Sequence, residues 1–323
     1  MKICMLGSGS LGSTIGGTLA EAGNEVYLID RWEEHVKAIN DKGLLLIDGA
    51  QDNHERYIKV KAQTNYDNIG EADLVIVLVK SFATKKAIEE AKASSIIGAN
   101  TLVMSLQNGL GNEEAIIEVI GKDQVIGGKT YVGGLLLEEG KVIGTTKGKY
   151  TYIGEVDGKI TDRIKHIAEE LTESGIMTKV LPNITGLIWD KLLINVAAGA
   201  LCGVTRLPYG GLYDTYGHYV HPELKQTGLA AINEGIAVAK ANGIVLSTDD
   251  AEEIWYKTSA GLPDGFKTSI QQSLEKGAAT EIDYINGAVV RWGKKSNVST
   301  PVNETLVACV KGLEFWQQNY SNK

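Results

Sequence analysis

The stretch Lys2-Ile3-Cys4-Met5-Leu6-Gly7-Ser8-Gly9-Ser10-Leu11-Gly12, carried on to Val26-Tyr27-Leu28-Ile29-Asp30-Arg31, decides the fold of this chain. Its first five residues read as a short buried strand. A glycine turn follows, then a helical pattern to Gly23, then a second apolar run ending in a polar pair. This is strand, glycine turn, helix, strand. The spacing gives each glycine its own role. Gly7 turns the chain sharply, Gly9 lets backbone approach a pyrophosphate, and Gly12 lets helix approach sheet. The helix amino terminus adds free N–H groups and a positive dipole end. Asp30 stands 23 positions after Gly7, where an acid bonds a ribose hydroxyl. The unit therefore predicts a dinucleotide ligand.

Working outward, residues 32–41 read as a helix closed by Gly43. Residues 44–47 and 57–60 read as strands, with Asp48-Gly49 as a turn. Residues 74–79 are continuously apolar, as in a parallel strand covered on both faces. A helix to about Ala93, a strand over 101–106 and a helix over 112–120 complete the alternation. Residues 125–155 are β-rich, with Gly133-Gly134, Glu139-Gly140 and Lys147-Gly148 as turns. A helix over 160–174 and a strand over 177–181 close the half. The pattern predicts an α/β domain, a doubly wound parallel sheet over residues 1–182.

Past Pro182-Asn183 the composition changes. Helical patterns cover 185–203, 222–242, 249–260, 268–276, 280–294 and 301–319, so residues 183–323 are expected to form an all-α domain. Two domains suit a chain of 323 residues.

A net charge of −8 argues against nucleic acid as a partner and disfavours an anionic membrane surface. No apolar run approaches a bilayer span, and the amino terminus enters a strand directly, without a signal peptide. Cys4, Cys202 and Cys309 form no paired motif and read as small buried hydrophobes, which fits a reducing, cytoplasmic compartment. His218-x-x-His221 is the only hint of metal ligands, and with no third ligand no metal site is expected. There is no G-x-S-x-G and no P-loop.

The helix over 185–203 is apolar on nearly every face and is expected at the centre of the second domain. Lys191 and Asn195, four apart, share one face that Gly199 continues. A lysine there loses hydration and needs a partner, or its ammonium reaches water. In Thr280-Glu281-Ile282-Asp283, Thr280 with Asp283 resembles a capping box, and Glu281 suits a helix dipole. Lys80-Ser81 and Asn108-Gly109 end predicted strands on the edge where open parallel sheets bind ligands.

Taken together, Gly7-Ser-Gly-Ser-Leu-Gly12, Arg31, Lys80, Gln107-Asn108-Gly109, Trp189-Asp-Lys-Leu-Leu-Ile-Asn195, Ser269, Thr280-Glu-Ile-Asp-Tyr-Ile-Asn-Gly287 and Thr300-Pro301 resemble the ketopantoate reductase (2-dehydropantoate 2-reductase) family along essentially the whole chain. The resemblance implies a Rossmann-type domain and a helical domain like the carboxyl-terminal domain of 6-phosphogluconate dehydrogenase. It implies NADPH-dependent reduction of ketopantoate to pantoate, on the way to pantothenate and coenzyme A.

By this match Lys191 would be the proton donor and Glu281 would bind cofactor and help hold it. Gly7, Ser8, Gly9, Ser10, Leu11, Gly12, Lys80, Asn108 and Gly133 would contact the cofactor. Asn108, Lys191, Asn195 and Ser269 would contact the substrate. Arg31 would take the 2′-phosphate, which favours NADP(H) over NAD(H), against the pull of Asp30. A homodimer follows only by analogy. The chain departs from the family at Gly199 and near Tyr209, where substrate asparagines are expected, and at Lys267, where a smaller or uncharged residue is expected. The alternatives are a reductase of another small 2-oxo acid and a non-catalytic redox sensor, which would need neither Lys191 nor Glu281.

Overall fold

The computed structural model describes residues 1–49, 53–212, 221–259 and 263–320. It divides into two compact units: Met1–Gln107 with Asn112–Ile184, and Asn108–Gly111 with Thr185–Lys323.

In the first unit the strands are β1 (Lys2–Leu6), β2 (Glu25–Ile29), β3 (Leu44–Asp48), β4 (His54–Ile58), β5 (Lys61–Gln63), β6 (Leu74–Val77), β7 (Leu102–Ser105), β8 (Val125–Thr130), β9 (Gly133–Glu138), β10 (Lys141–Thr145), β11 (Thr151–Glu155) and β12 (Thr178–Val180). The helices are α1 (Ser10–Glu21), α2 (Glu33–Lys42), α3 (Thr84–Ala93), α4 (Asn112–Ile120) and α5 (Asp162–Glu173). The main sheet has the order β12-β11-β8-β7-β6-β1-β2-β5 and is parallel except where β11 meets β8. From β1 the chain winds outward through β2 on one side and through β6, β7 and β8 on the other. The direction reverses at β1 and β6, which leaves a crevice at their carboxyl ends. β1 and β6 are almost wholly buried, since helices cover both faces.

A second sheet, β4-β3-β10-β9, packs over α1. Ile15 and Leu19 of the helix share a core with Leu44, Leu46 and Val142. Gly133-Gly134 therefore lies inside β9 rather than in a turn. Its partners Thr145 and Gly144 on β10 extend the strand through the two glycines. The short edge strand β5 has no apolar run to announce it; it forms because β2 offers it a free edge.

The second unit contains α6 (Ile184–Thr205, whose first residue belongs to the first unit), α7 (Tyr209–Leu212), α8 (Pro222–Ala241), α9 (Ala251–Ser259), α10 (Ser269–Glu275), α11 (Asn286–Ser296) and α12 (Pro301–Tyr320). By length and composition α6 could cross a bilayer, contrary to the expectation that the chain has no such run. It is a core helix instead: Trp189, Leu193, Val196, Ala197, Ala198, Ala200 and Cys202 are fully buried. Cys309 is exposed rather than buried, while Cys4 and Cys202 lie inside.

The predicted helix over 280–294 is two elements. Ile282–Tyr284 is a single 3₁₀ turn, and α11 starts only at Asn286. The Thr280 hydroxyl accepts from the Ile282 N–H at 3.2 Å, and Asp283 pairs with Lys311, so no capping box forms.

Candidate active site

In the first unit the candidate residues gather at the turn between β1 and α1. Gly7 has φ +99°, and a Cβ on Gly12 would lie 2.0 Å from the Gly7 carbonyl oxygen. Only glycines permit this approach. Gly9 caps α1 with no side-chain hydrogen bond, and the space where its Cβ would stand is open. The Ser8 hydroxyl is buried and lacks a hydrogen-bond partner. An uncapped helix terminus, open space over Gly9 and an orphaned hydroxyl together fit a bound phosphate group. Ser10 and Leu11 supply the first amides of that helix.

A polar network holds this turn from beneath, and no local pattern in the sequence announces it. Asp30 accepts the Ser8 N–H at 2.8 Å and the Trp32 N–H at 3.1 Å. The Ser13 hydroxyl donates to the Ser8 carbonyl at 2.6 Å and lies 3.2 Å from His35 Nε2. His35 Nδ1 accepts the Gly140 N–H at 3.0 Å. That bond fixes the Nε2–H tautomer, and burial lowers the imidazole pKa, so His35 favours the neutral form. The one signal in the sequence is a lone histidine on the buried face of α2, which periodicity alone reads as a misfit.

Of the other first-unit positions, Lys80 is exposed before the 3₁₀ turn Ser81–Ala83, just past β6. Gly133 is exposed, with open space around it. Arg31 is exposed, and its Nη2 lies 2.9 and 3.0 Å from the two carboxylate oxygens of Glu90.

The second unit carries the other residues. Trp189 packs edge-on against Trp292 with ring centroids 5.7 Å apart, and Asp190 accepts the Ser247 N–H at 3.0 Å. These two contacts set the rotation of α6 about its axis. Lys191 and Asn195, one turn apart, are half-buried on a helix that is otherwise largely buried from Trp189 to Cys202. Burial lowers the Lys191 pKa below the ordinary lysine value. Among the described residues, no hydrogen bond or ion pair engages its ammonium.

Ser269 is the exposed first residue of α10, behind Thr268, whose hydroxyl caps the helix by accepting the Gln271 N–H. Glu281 is half-buried at the start of the 3₁₀ turn. The loop with Asn108 and the segment with Glu281 meet: the Leu110 N–H donates to the Tyr284 carbonyl at 2.9 Å.

The departures from the family have local explanations. A Cβ on Gly199 would lie 3.2 Å from Ile270 Cδ1, so a buried isoleucine fills the space beside it. Tyr209 is buried against Phe266 at 5.7 Å between ring centroids, and burial raises its phenol pKa. Lys267 is exposed and paired with Glu275 at 2.8 Å. His218 lies outside the described residues. Among those described, no group of His, Cys, Asp and Glu could hold a metal ion.

The family described as ketopantoate reductase PanE/ApbA matches residues 3–158, and its carboxyl-terminal counterpart matches residues 183–314. The 2-dehydropantoate 2-reductase of Pyrococcus horikoshii is 34% identical, over 97% of this chain and 98% of the relative. A crystal structure of a PanE/ApbA family ketopantoate reductase from Ralstonia eutropha has a TM-score of 0.87 at 31% identity, covering 99% of this chain and 100% of that one. D-mandelate dehydrogenase with NADH and anilino(oxo)acetate also has a TM-score of 0.87, at 28% identity, covering 98% and 100%. The chain belongs to the ketopantoate reductase family.

Proposed function

We propose that this protein reduces a small 2-oxo acid with a nicotinamide dinucleotide, with ketopantoate as the leading substrate and Lys191 as the proton donor. The observation that carries the reading is the half-buried Lys191 ammonium on a core helix, with a lowered pKa and no partner among the described residues. A structural lysine would be paired or solvated; one left like this is available for chemistry.

A nicotinamide cofactor, when bound, would supply the hydride for the 2-oxo carbon. The amides of Ser10, Leu11 and Gly12 would hold the pyrophosphate of a bound dinucleotide, and Arg31 would face its ribose. Lys80, Asn108 and Gly133 are further cofactor contacts. Lys191 donates a hydrogen bond to the substrate carbonyl oxygen, stabilises the negative charge that develops there and then gives up its proton. Asn195 and Ser269 anchor the substrate, and Glu281 binds cofactor and orients the lysine. Membership of the family supports a place in pantothenate and coenzyme A synthesis, in the cytoplasm, with a homodimer as the assembly.

A second reading is a reductase of the same chemistry for a 2-oxo acid with an apolar side chain. It is favoured by Gly199 backed by Ile270, where a polar substrate group would find no partner. The test is the rate of NADH and NADPH oxidation with ketopantoate and with branched, straight-chain and aromatic 2-oxo acids. Turnover with ketopantoate above the panel supports the first reading. Turnover highest with a panel member selects the second. No turnover with any of them removes both.

A further inference from the structure

We propose that Glu90 is a cofactor-specificity residue: by holding Arg31, it turns the ribose end of the dinucleotide site towards NAD(H) and away from NADP(H). This rests on the dinucleotide reading above.

Asp30 and Arg31 follow β2 directly. Asp30 touches the glycine turn itself through the Ser8 N–H, which places the pair where the adenine-side ribose of a dinucleotide lies. A 2′-phosphate needs a cation with free donors there, and a diol needs an acceptor. Asp30 is the acceptor: each of its oxygens receives one backbone N–H and keeps a lone pair for a hydroxyl. Arg31 is the cation, but Glu90 of α3 already occupies its Nη2 with both oxygens.

An exposed ion pair by itself is weak. Here Tyr66 also lies close to Glu90, whose charge adds to burial in raising the phenol pKa. Burial pushes the Tyr66 phenol up to about 12, so it remains a donor. Lys86, one turn earlier on α3, lies 3.9 Å from the same carboxylate and is exposed. Asp30, Arg31, Glu90 and Lys86 together sum to zero charge; without Glu90 they would sum to +1. Glu90 thus cancels the one unit of positive charge that a phosphate of nearly two negative charges would use.

The test is titration of NADH and NADPH into the full-length protein, followed by cofactor fluorescence, for the wild type, Glu90→Gln, Arg31→Ala and the double variant. The wild type is expected to bind NADH more tightly than NADPH. Glu90→Gln is expected to gain ~10-fold for NADPH relative to NADH, from releasing the Arg31 guanidinium to bond the 2′-phosphate. The gain should vanish in the double variant, because it acts through Arg31. A wild type that prefers NADPH overturns the proposal, as does a Glu90→Gln shift equal for both cofactors or one that survives loss of Arg31. If neither dinucleotide binds, the proposed function falls and takes this inference with it. If binding follows expectation but no 2-oxo acid is turned over, only the catalytic reading fails.

Discussion

The Leu110 N–H donates to the Tyr284 carbonyl at 2.9 Å, and this bond joins two sequence motifs 174 positions apart. It ties the loop that carries Asn108 to the segment that carries Glu281. Neither side chain makes the contact. The backbone does.

That junction predicts the effect of a methyl group. Gly109 has φ +85°, and a Cβ there would lie 2.4 Å from the Tyr284 carbonyl oxygen. Gly121 has nearly the same φ, +84°, with nothing near its Cβ position. Gly121→Ala carries backbone strain alone, about 1 kcal/mol. Gly109→Ala adds a steric clash and should cost at least ~2 kcal/mol more. Urea denaturation of both variants measures the difference, and equal losses would show that the junction yields freely.

Lys191 predicts a pH profile. Burial disfavours its charged form, so it loses its proton at lower pH than an exposed lysine. In the proposed mechanism reduction requires the ammonium. Its kcat/KM should therefore fall as pH rises through this lowered pKa, while oxidation of the 2-hydroxy acid rises over the same range. Lys191→Ala should lose ~10²–10⁴-fold in turnover and the pH limb with it. Wild-type turnover in that variant would exclude the lysine from the chemistry.

A buried polar network predicts a stability loss away from the proposed chemistry. Asn303 accepts from Asn286 Nδ2 at 3.0 Å and donates to Glu234 at 2.7 Å and to the Ala231 carbonyl at 3.0 Å. Asn286 also donates to the Val196 carbonyl at 3.3 Å, and Glu234 accepts the Val302 and Asn303 N–H groups at the start of α12. The asparagine of the Thr280–Gly287 motif is thus a clamp between α6 and α12. Asn303→Ala leaves an amide and a carboxylate short of partners and should cost ~3 kcal/mol. A loss below about 1 kcal/mol in chemical denaturation would mean that water replaces the asparagine.

Much of the fold is legible in local pattern. β1 and α4 begin and end as the apolar runs predict, because buried parallel strands and amphipathic helices write their periods directly into the chain. The pattern over 280–294 misleads for a physical reason: its first turn is captured by the Asn108 loop and Lys311, and no local period records those partners. Gly133-Gly134 misleads because glycines end most strands, whereas here β10 supplies a ladder for them. The site is less legible than the fold. Lys191 stands out as a charge on an apolar helix, but in sequence Asp30 looks like a ribose ligand alone and Arg31 like a free cation.

Residue order is enough to establish the glycine turn, the alternating first half, the helical second half and the family. Each depends on residue type at short spacing: glycines that let helix and strand approach closely, and apolar periods that must be buried. Packing in three dimensions is what gives Arg31 its partner, Glu90, from a helix 59 positions away. It also makes Asp30 brace the Ser8 amide, sets Ile270 in the space beside Gly199, and leaves Lys191 half-buried without a partner among the described residues. Charge state and pairing depend on neighbours brought in from distant parts of the chain. Local sequence can name the groups, but only their packing sets what each is free to do.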